Sequence, residues 1–184
     1  LVENNTALII CATNHLPNGM LLNLNSHHIQ QEIFKNQIDA SVPLKKQLWQ
    51  QTIIEKITNQ GILLEKIEKS KNQFEYLASK VLSGDTTNME AVAASQYWKR
   101  FFETGFKRER FGNYPNNFLN YGYAILRAAT ARALSGSGLL NTLGIHHKSK
   151  YNAFALADDI MEPFRPIVDE AVLNLAVREG SGRR

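Results

Sequence analysis

Cysteine is almost missing from this 184-residue sequence, with Cys11 standing alone. A single thiol excludes an intrachain disulfide framework and fits a reducing compartment, so the cytoplasm is the expected location. No stretch of about eighteen consecutive apolar residues occurs, which excludes a membrane-spanning helix. No basic start followed by an apolar run opens the chain, so secretion is not indicated. The Gly-x-x-x-x-Gly-Lys loop that cradles nucleotide phosphates is absent, as are tandem repeats and low-complexity segments. Arginine is lacking altogether from residues 1 to 84, which hold eight lysines, while all nine arginines lie between 85 and 184.

That last asymmetry says more than the net charge of +4. Arginine presents a planar fork to phosphate oxygens, whereas lysine acts as a point charge. The second half is therefore the expected nucleic-acid face. Hydrophobic content of 43% with 21% charged residues is that of an ordinary globular chain, long enough for one domain or one and a half.

Thr6 to Cys11 and Met20 to Leu24 are short apolar runs, separated by the turn-forming Asn14-His15-Leu16-Pro17-Asn18-Gly19. Two strands are too few to stand alone, so residues 1–25 are expected to be the end of a β-rich N-terminal domain. The start at Leu1 and the Gly180-Ser181-Gly182-Arg183-Arg184 tail lead us to expect a fragment or a processed chain, cut short at its C-terminus as well.

Residues 26–184 read as a mainly α-helical domain. Ile33, Phe34 and Ile38, then Leu44, Leu48, Ile53, Ile54 and Ile57 after Pro43, recur at helical spacing, and Pro43 is expected to begin a helix. Leu63, Leu64, Ile67, Phe74, Leu77 and Val81 suggest a further helix or two, closed by Ser83-Gly84. A third long helix opens at Asp85 and runs through Tyr97-Trp98 and Phe101-Phe102. Here Thr87-x-x-Glu90 fits a capping box, in which the glutamate only serves the helix start. The neighbouring Ala91, Ala93 and Ala94 leave room for a second reading, a carboxylate that a substrate or another backbone can approach.

Lys99, Arg100, Lys107, Arg108 and Arg110 are interleaved with Phe101, Phe102, Phe106 and Phe111. Charge for phosphates and flat faces for stacking describe a nucleic-acid groove, and a solvated helix end above core phenylalanines describes the same letters. Leu119, Tyr123, Leu126 and Ala133 form a core stripe that Gly136-Ser137-Gly138 ends. Another helix is expected from about Ile167 to Val177.

Between those helices, His146 and His147 sit in a turn begun by Gly144, and an acidic helix follows in which Asp158 and Asp159 stand four and three residues before Glu162. Such spacing gathers carboxylates on one face, which must stand in water or be neutralised by a cation. A nearby histidine makes a metal ion a candidate. Acids near a helix start capped by Asn152 are also favourable without any metal.

Taken in order, these motifs resemble the CRISPR-associated spacer-acquisition integrase, the catalytic subunit of the adaptation complex, in the version found with a single large effector nuclease. The resemblance is carried by Glu90 with Tyr97-Trp98, Asn-x-x-Leu-Asn-Tyr-Gly-Tyr-x-x-Leu from Asn116 to Leu126, Gly-x-x-His from Gly144 to His147, and Leu-x-x-Asp-x-Met-Glu-Pro-Phe-Arg-Pro from Leu156 to Pro166. It implies that Glu90, His147 and Glu162 are catalytic metal ligands, with Asp159 beside them and His146 a lesser candidate. Two carboxylates and an imidazole suit Mg²⁺ or Mn²⁺. The implied reaction is phosphodiester transesterification on double-stranded DNA, a spacer precursor joined to a repeat in antiviral defence. Lys99, Arg100, Arg108, Arg110, Lys148 and Arg165 are candidate phosphate contacts. A homodimer joined to a small ferredoxin-like partner is also implied. Two other readings are a non-catalytic helical DNA-binding module and a metal-dependent nuclease of branched DNA.

Overall fold

The structure is a computed structural model, and it describes residues 1, 4, 6, 8–13, 17–21, 27–71, 73–102, 106–109 and 112–181, without the side chains of Pro17 and of 177–181. It is mainly helical. Two short strands, β1 (Ile9–Cys11) and β2 (Pro17–Met20), pair antiparallel, with Ile9 opposite Met20 and Ile10 opposite Gly19. Pro17-Asn18-Gly19, expected in the turn, thus belongs to the second strand. The pairing is irregular between Ile10 and Cys11, next to Pro17, which has no N–H to give to a ladder.

Helix α1 (Gln30–Ile38) leads to α2 (Val42–Glu68), the spine of the molecule. Ser41 caps α2 by accepting from the Leu44 amide at 3.3 Å, and Pro43 occupies the first turn, where a missing N–H costs nothing. The helix runs unbroken through Gly61, so the apolar run after Ile57 continues α2 and does not start a new helix. Its buried stripe holds Trp49, Ile53, Ile57 and Leu64, while the expected core residue Leu48 faces outward. Within that stripe lies a polar column, Thr52, Lys56 and Gln60, one residue per turn and all buried.

Helix α3 (Phe74–Ser79) and a 3₁₀ turn (Ser83–Asp85) fold back onto α2 and bring α4 (Met89–Phe101) across it. The Asp85 carboxylate accepts from the amides of Met89 at 2.8 Å and Glu90 at 3.0 Å. Asp85 therefore serves the helix start that was expected to use Thr87 and Glu90, and the Glu90 side chain is left for another partner. Ala93, Tyr97 and Phe101, four residues apart, face the core beside Phe74, while Ala91 and Val92 face outward.

Helix α5 (Asn116–Gly136) turns Leu119, Tyr123, Ala131 and Leu134 inward; Ala133, expected in that stripe, is exposed. Gly138, with φ at +76°, ends the helix region. Met20 of β2 packs against Ala131, Leu134, Leu156 and Ala157, which ties the hairpin to the helices.

The acidic segment is not one helix. It divides into α6 (Ala155–Ile160), a 3₁₀ turn (Glu162–Phe164) and α7 (Arg165–Ser181). Pro163 has no N–H for the carbonyl four residues back and its ring crowds that position, so the chain tightens there; Pro166 is tolerated because it stands in the first turn of α7. At Gly122 a β-carbon would collide with Val168, so α5 and α7 approach closely. No helix among the described residues is long and apolar enough to cross a membrane.

Candidate functional site

The acids point in different directions, because Asp158 and Asp159 are successive residues of α6, about 100° apart, and Glu162 lies past the end of that helix in the 3₁₀ turn. Asp158 meets Arg127 through a two-pronged contact at 2.6 and 2.9 Å and accepts from Asn152 at 2.8 Å. Asn152 in turn accepts from the Phe154 amide at 3.0 Å, so its two ends order the entry to α6. Glu162 turns towards α2 and α4, and Asp159 points at the histidine loop. The single carboxylate face expected from the spacing is not formed.

Asp159 is fully buried and organises that loop. One of its oxygens accepts from the amides of Ile145 and His146 at 2.6 and 2.9 Å, and the other from the His147 amide at 3.2 Å. The His147 ring Nδ1 lies 2.5 Å from that second oxygen. A carboxylate oxygen accepts, so Nδ1 carries the proton and Nε2 keeps a lone pair for a metal or another donor. The bond to Asp159 raises the pKa of His147 above its ordinary value, although burial opposes the rise. Gly144 permits the turn, since a β-carbon there would meet the His147 carbonyl oxygen at 2.5 Å. From the other side, Gln37 of α1 donates to the Leu140 carbonyl at 2.9 Å and accepts from the Leu140 amide at 2.8 Å. The His146 ring lies flat on Trp49, with centroids 4.2 Å apart and planes 6° apart.

Glu90 and Glu162 do come together, on Lys56. Its Nζ donates to Glu90 Oε1 at 2.5 Å and lies 2.6 Å from Glu162 Oε2. The second contact is a close ion pair, at hydrogen-bonding distance from the same ammonium. The other Glu162 oxygen accepts from Arg165 Nε at 2.8 Å. Burial works against ionisation of Glu162, but Lys56 and then Arg165 outweigh it and hold the carboxyl below its usual range. His147 does not join these two glutamates: among the described residues no three His, Cys, Asp or Glu side chains form a group able to hold a metal. The donor set nevertheless fits a hard divalent ion, because two carboxylates already share one cation.

Behind the site, Asp169 is buried and accepts from the hydroxyls of Tyr97, at 2.8 Å, and Tyr123. Burial pushes its carboxyl up to about 6, against the pull of those two bonds. Arg165 lies over the Tyr123 ring, 4.5 Å from its centroid.

The basic candidates separate. Arg100 gives its fork to Glu68, and Arg108 donates to Asn116 at 3.0 Å and Asn120 at 2.6 Å. Arg165 is held by Glu162 as above. Lys99 and Lys148 are exposed, and Arg110 lies outside the described residues. Phe101 is buried, and the half-buried Phe102 and Phe106 pack with Trp98, so all three are engaged within the fold.

Sequence reasoning missed Lys56, Asp169, Arg127 and Gln37. Lys56 follows Trp49 by seven residues, and Asp169 precedes Val172 by three. A charge at a core register is the signal that marked both.

Fold and site together define a helical domain in which an acid of α4 and one of the 3₁₀ turn after α6 meet on the Lys56 ammonium, with a histidine loop held by Asp159 of α6. The chain matches the family described as CRISPR associated protein Cas1 over residues 1–181, and it belongs to that family. It is 43% identical over 177 residues to the CRISPR-associated endonuclease Cas1 of Neisseria meningitidis serogroup C, covering 95% of this chain and 58% of that protein. It therefore spans little more than half of that relative. Among solved structures, a casposase bound to integration product shares 24% identity with a TM-score of 0.68, covering 98% of this chain and 56% of the other. A partial Cas6-RT-Cas1–Cas2 complex shares 21% with a TM-score of 0.70, covering 92% and 57%. At these identities the two structures show the fold.

Proposed function

We propose that this chain is the helical catalytic part of a spacer-acquisition integrase, with Glu90 and Glu162 holding Mg²⁺ or Mn²⁺ and His147, which stands apart from them here, as the third ligand. The observation that carries this is the pair Glu90 and Glu162, separated by 72 positions in the sequence, closed on a single cation within 2.6 Å. Such an ion polarises a phosphodiester and stabilises the charge that builds during displacement. The chain's own residues do the rest. Asp159 holds the His147 ring with Nε2 free, Arg165 orients one Glu162 oxygen, and Asp85 fixes the helix start that carries Glu90. In the reaction, the 3′-hydroxyl of incoming DNA attacks a phosphodiester at the repeat edge. A new P–O bond forms, the old 3′ P–O bond breaks, and the attacking hydroxyl's proton ends on the released 3′-oxygen.

Double-stranded DNA, a second copy of the chain and a Cas2-type subunit are the partners this reading requires. The solved relatives, bound to integration product or assembled with Cas2, support it. Lys99 and Lys148 are the exposed phosphate candidates. The test is transfer of a labelled 3′-hydroxyl DNA into a repeat-bearing plasmid with Mn²⁺, by the protein that carries this chain. Glu90→Ala and His147→Ala are expected to abolish joining while leaving DNA binding intact. Unchanged yield would reject the assignment.

One observation favours a second reading. Lys56 already neutralises both glutamates, as in a metal-independent DNA-binding module. That module would bind DNA in a salt-dependent way, indifferent to chelator, and form no product. Release of free ends by water in place of joined strands would instead mark a nuclease of branched DNA.

A further inference from the structure

Lys56 stands where the proposed function requires a divalent ion. It is about as buried as the core side chains around it, 8% exposed, and projects from the centre of α2 into the gap between Glu90 and Glu162. The two acids are held without its help. Asp85 fixes the backbone at Glu90, Arg165 holds the second oxygen of Glu162, and Asn59 of α2 donates to the Pro163 carbonyl at 2.9 Å, next to Glu162 in the chain. The ammonium is held by the two acids themselves. It is a compact charge on a four-carbon stem, free to swing in a way that the planar fork of an arginine is not.

A second observation shows where it can go. Gln60, one turn further along the same stripe of α2, is 3% exposed, and its Oε1 is a buried acceptor with no hydrogen-bond partner. Side chains on a helix lean towards its N-terminus, so the end of Gln60 lies over the turn that carries Lys56. A buried amide oxygen without a donor is costly, and Lys56 stands four residues earlier on the same face of α2.

We propose that Lys56 is an exchangeable internal counter-ion. It fills the gap between Glu90 and Glu162 when no metal is present, leaves when a divalent cation enters, and is then received by Gln60 Oε1. The residue competes with the metal and keeps the empty centre folded, which makes it a positioning residue. This rests on the reading of Glu90 and Glu162 as metal ligands, and the experiment separates failure of one from failure of the other.

Mn²⁺ affinity is measured by calorimetry on the full chain as wild type, Lys56→Met, Lys56→Arg, Gln60→Leu and Glu90→Gln, alongside thermal unfolding with and without Mn²⁺. Lys56→Met is expected to bind Mn²⁺ at least tenfold more tightly, to melt earlier than wild type in chelator, and to gain more from Mn²⁺. Lys56→Arg, whose fork grips both acids, is expected to bind about tenfold more weakly, which keeps the test alive should the methionine variant fail to fold. Gln60→Leu is expected to weaken binding severalfold when Lys56 is present and to have no effect beside Lys56→Met. If Glu90→Gln abolishes binding but both Lys56 variants match wild type, the exchange idea is overturned and the metal site stands. If Glu90→Gln binds like wild type, the metal site itself is wrong and the exchange falls with it.

Discussion

Replacing Asp159 by asparagine changes one atom and is expected to dismantle the histidine loop. The carboxylate accepts from three consecutive amides, Ile145, His146 and His147, and from the His147 ring. An asparagine keeps one oxygen. Oriented to retain Ile145 and His146, it turns its NH₂ towards the His147 amide, donor against donor, at a position that is fully buried. One charge-assisted bond is lost, an amide is left without an acceptor, and the two surviving bonds become neutral ones. Together these come to roughly 3–5 kcal/mol. The ring must also exchange its Nδ1 proton for an Nε2 proton in order to accept from the new NH₂, which removes the lone pair offered to a ligand. Denaturant unfolding reads the first effect and ¹⁵N spectra of the His147 ring the second. A variant within about 1 kcal/mol of wild type, or one whose ring keeps its Nδ1 proton, would refute the reasoning. The pH dependence follows with a definite sign. The folded pKa of His147 is raised, chiefly by Asp159. Its pairing therefore contributes stability that is fully present below the unfolded value of about 6.5 and is lost as pH rises through the folded value. Asp159→Asn should flatten that slope.

Two further substitutions test the surroundings. Gly144→Ala places a β-carbon 2.5 Å from the His147 carbonyl oxygen and 2.9 Å from an Asp159 oxygen, neither of which can move without reshaping the turn, so a loss of about 1–3 kcal/mol with displaced His147 resonances is expected. Calorimetric melting and the same ring spectra check it. Asp169 has a folded pKa of about 6 against an ordinary 3.8, so the folded state holds its proton more tightly and loses stability as pH rises through about 6. Asp169→Asn removes that dependence. Relative to wild type, its unfolding free energy should gain on the order of 2–3 kcal/mol between pH 4 and pH 7, and equal slopes in the two proteins would contradict the assignment.

The helices were legible where periodicity and terminal residues agree, as with Pro43 in the first turn of α2 or Gly138 just after α5. The family was legible because its motifs are strings of specific residues. The site was read less well, for a physical reason. Helical spacing assigns a face only while the helix lasts, and α6 ends at Ile160, before Glu162, while Asp158 and Asp159 are successive residues about 100° apart on it, so each of the three acquires a different cation or donor. Glu90 looked like a cap because Thr87 stands three residues before it, and no local pattern shows that Asp85 takes the task. Lys56 was hidden for the opposite reason: among lysines and glutamines it reads as solvated, and only its register with Trp49 and Ile57 marks it as interior. Arg100, Arg108 and Arg165 resembled phosphate grips until their acceptors in Glu68, the asparagines of α5 and Glu162 were visible.

The uninterrupted run of α2 has a mechanical consequence. Trp49, the shelf beneath His146, and Lys56, wedged between the glutamates, are seven residues apart on one rigid rod, a span of about 10 Å. A sideways nudge of that rod tilts the imidazole platform and shifts the ammonium in the same stroke, so the two halves of the centre cannot be tuned independently. Damage to the core face of α2, even at Ile53, which touches no substrate in this reading, should register at both places together.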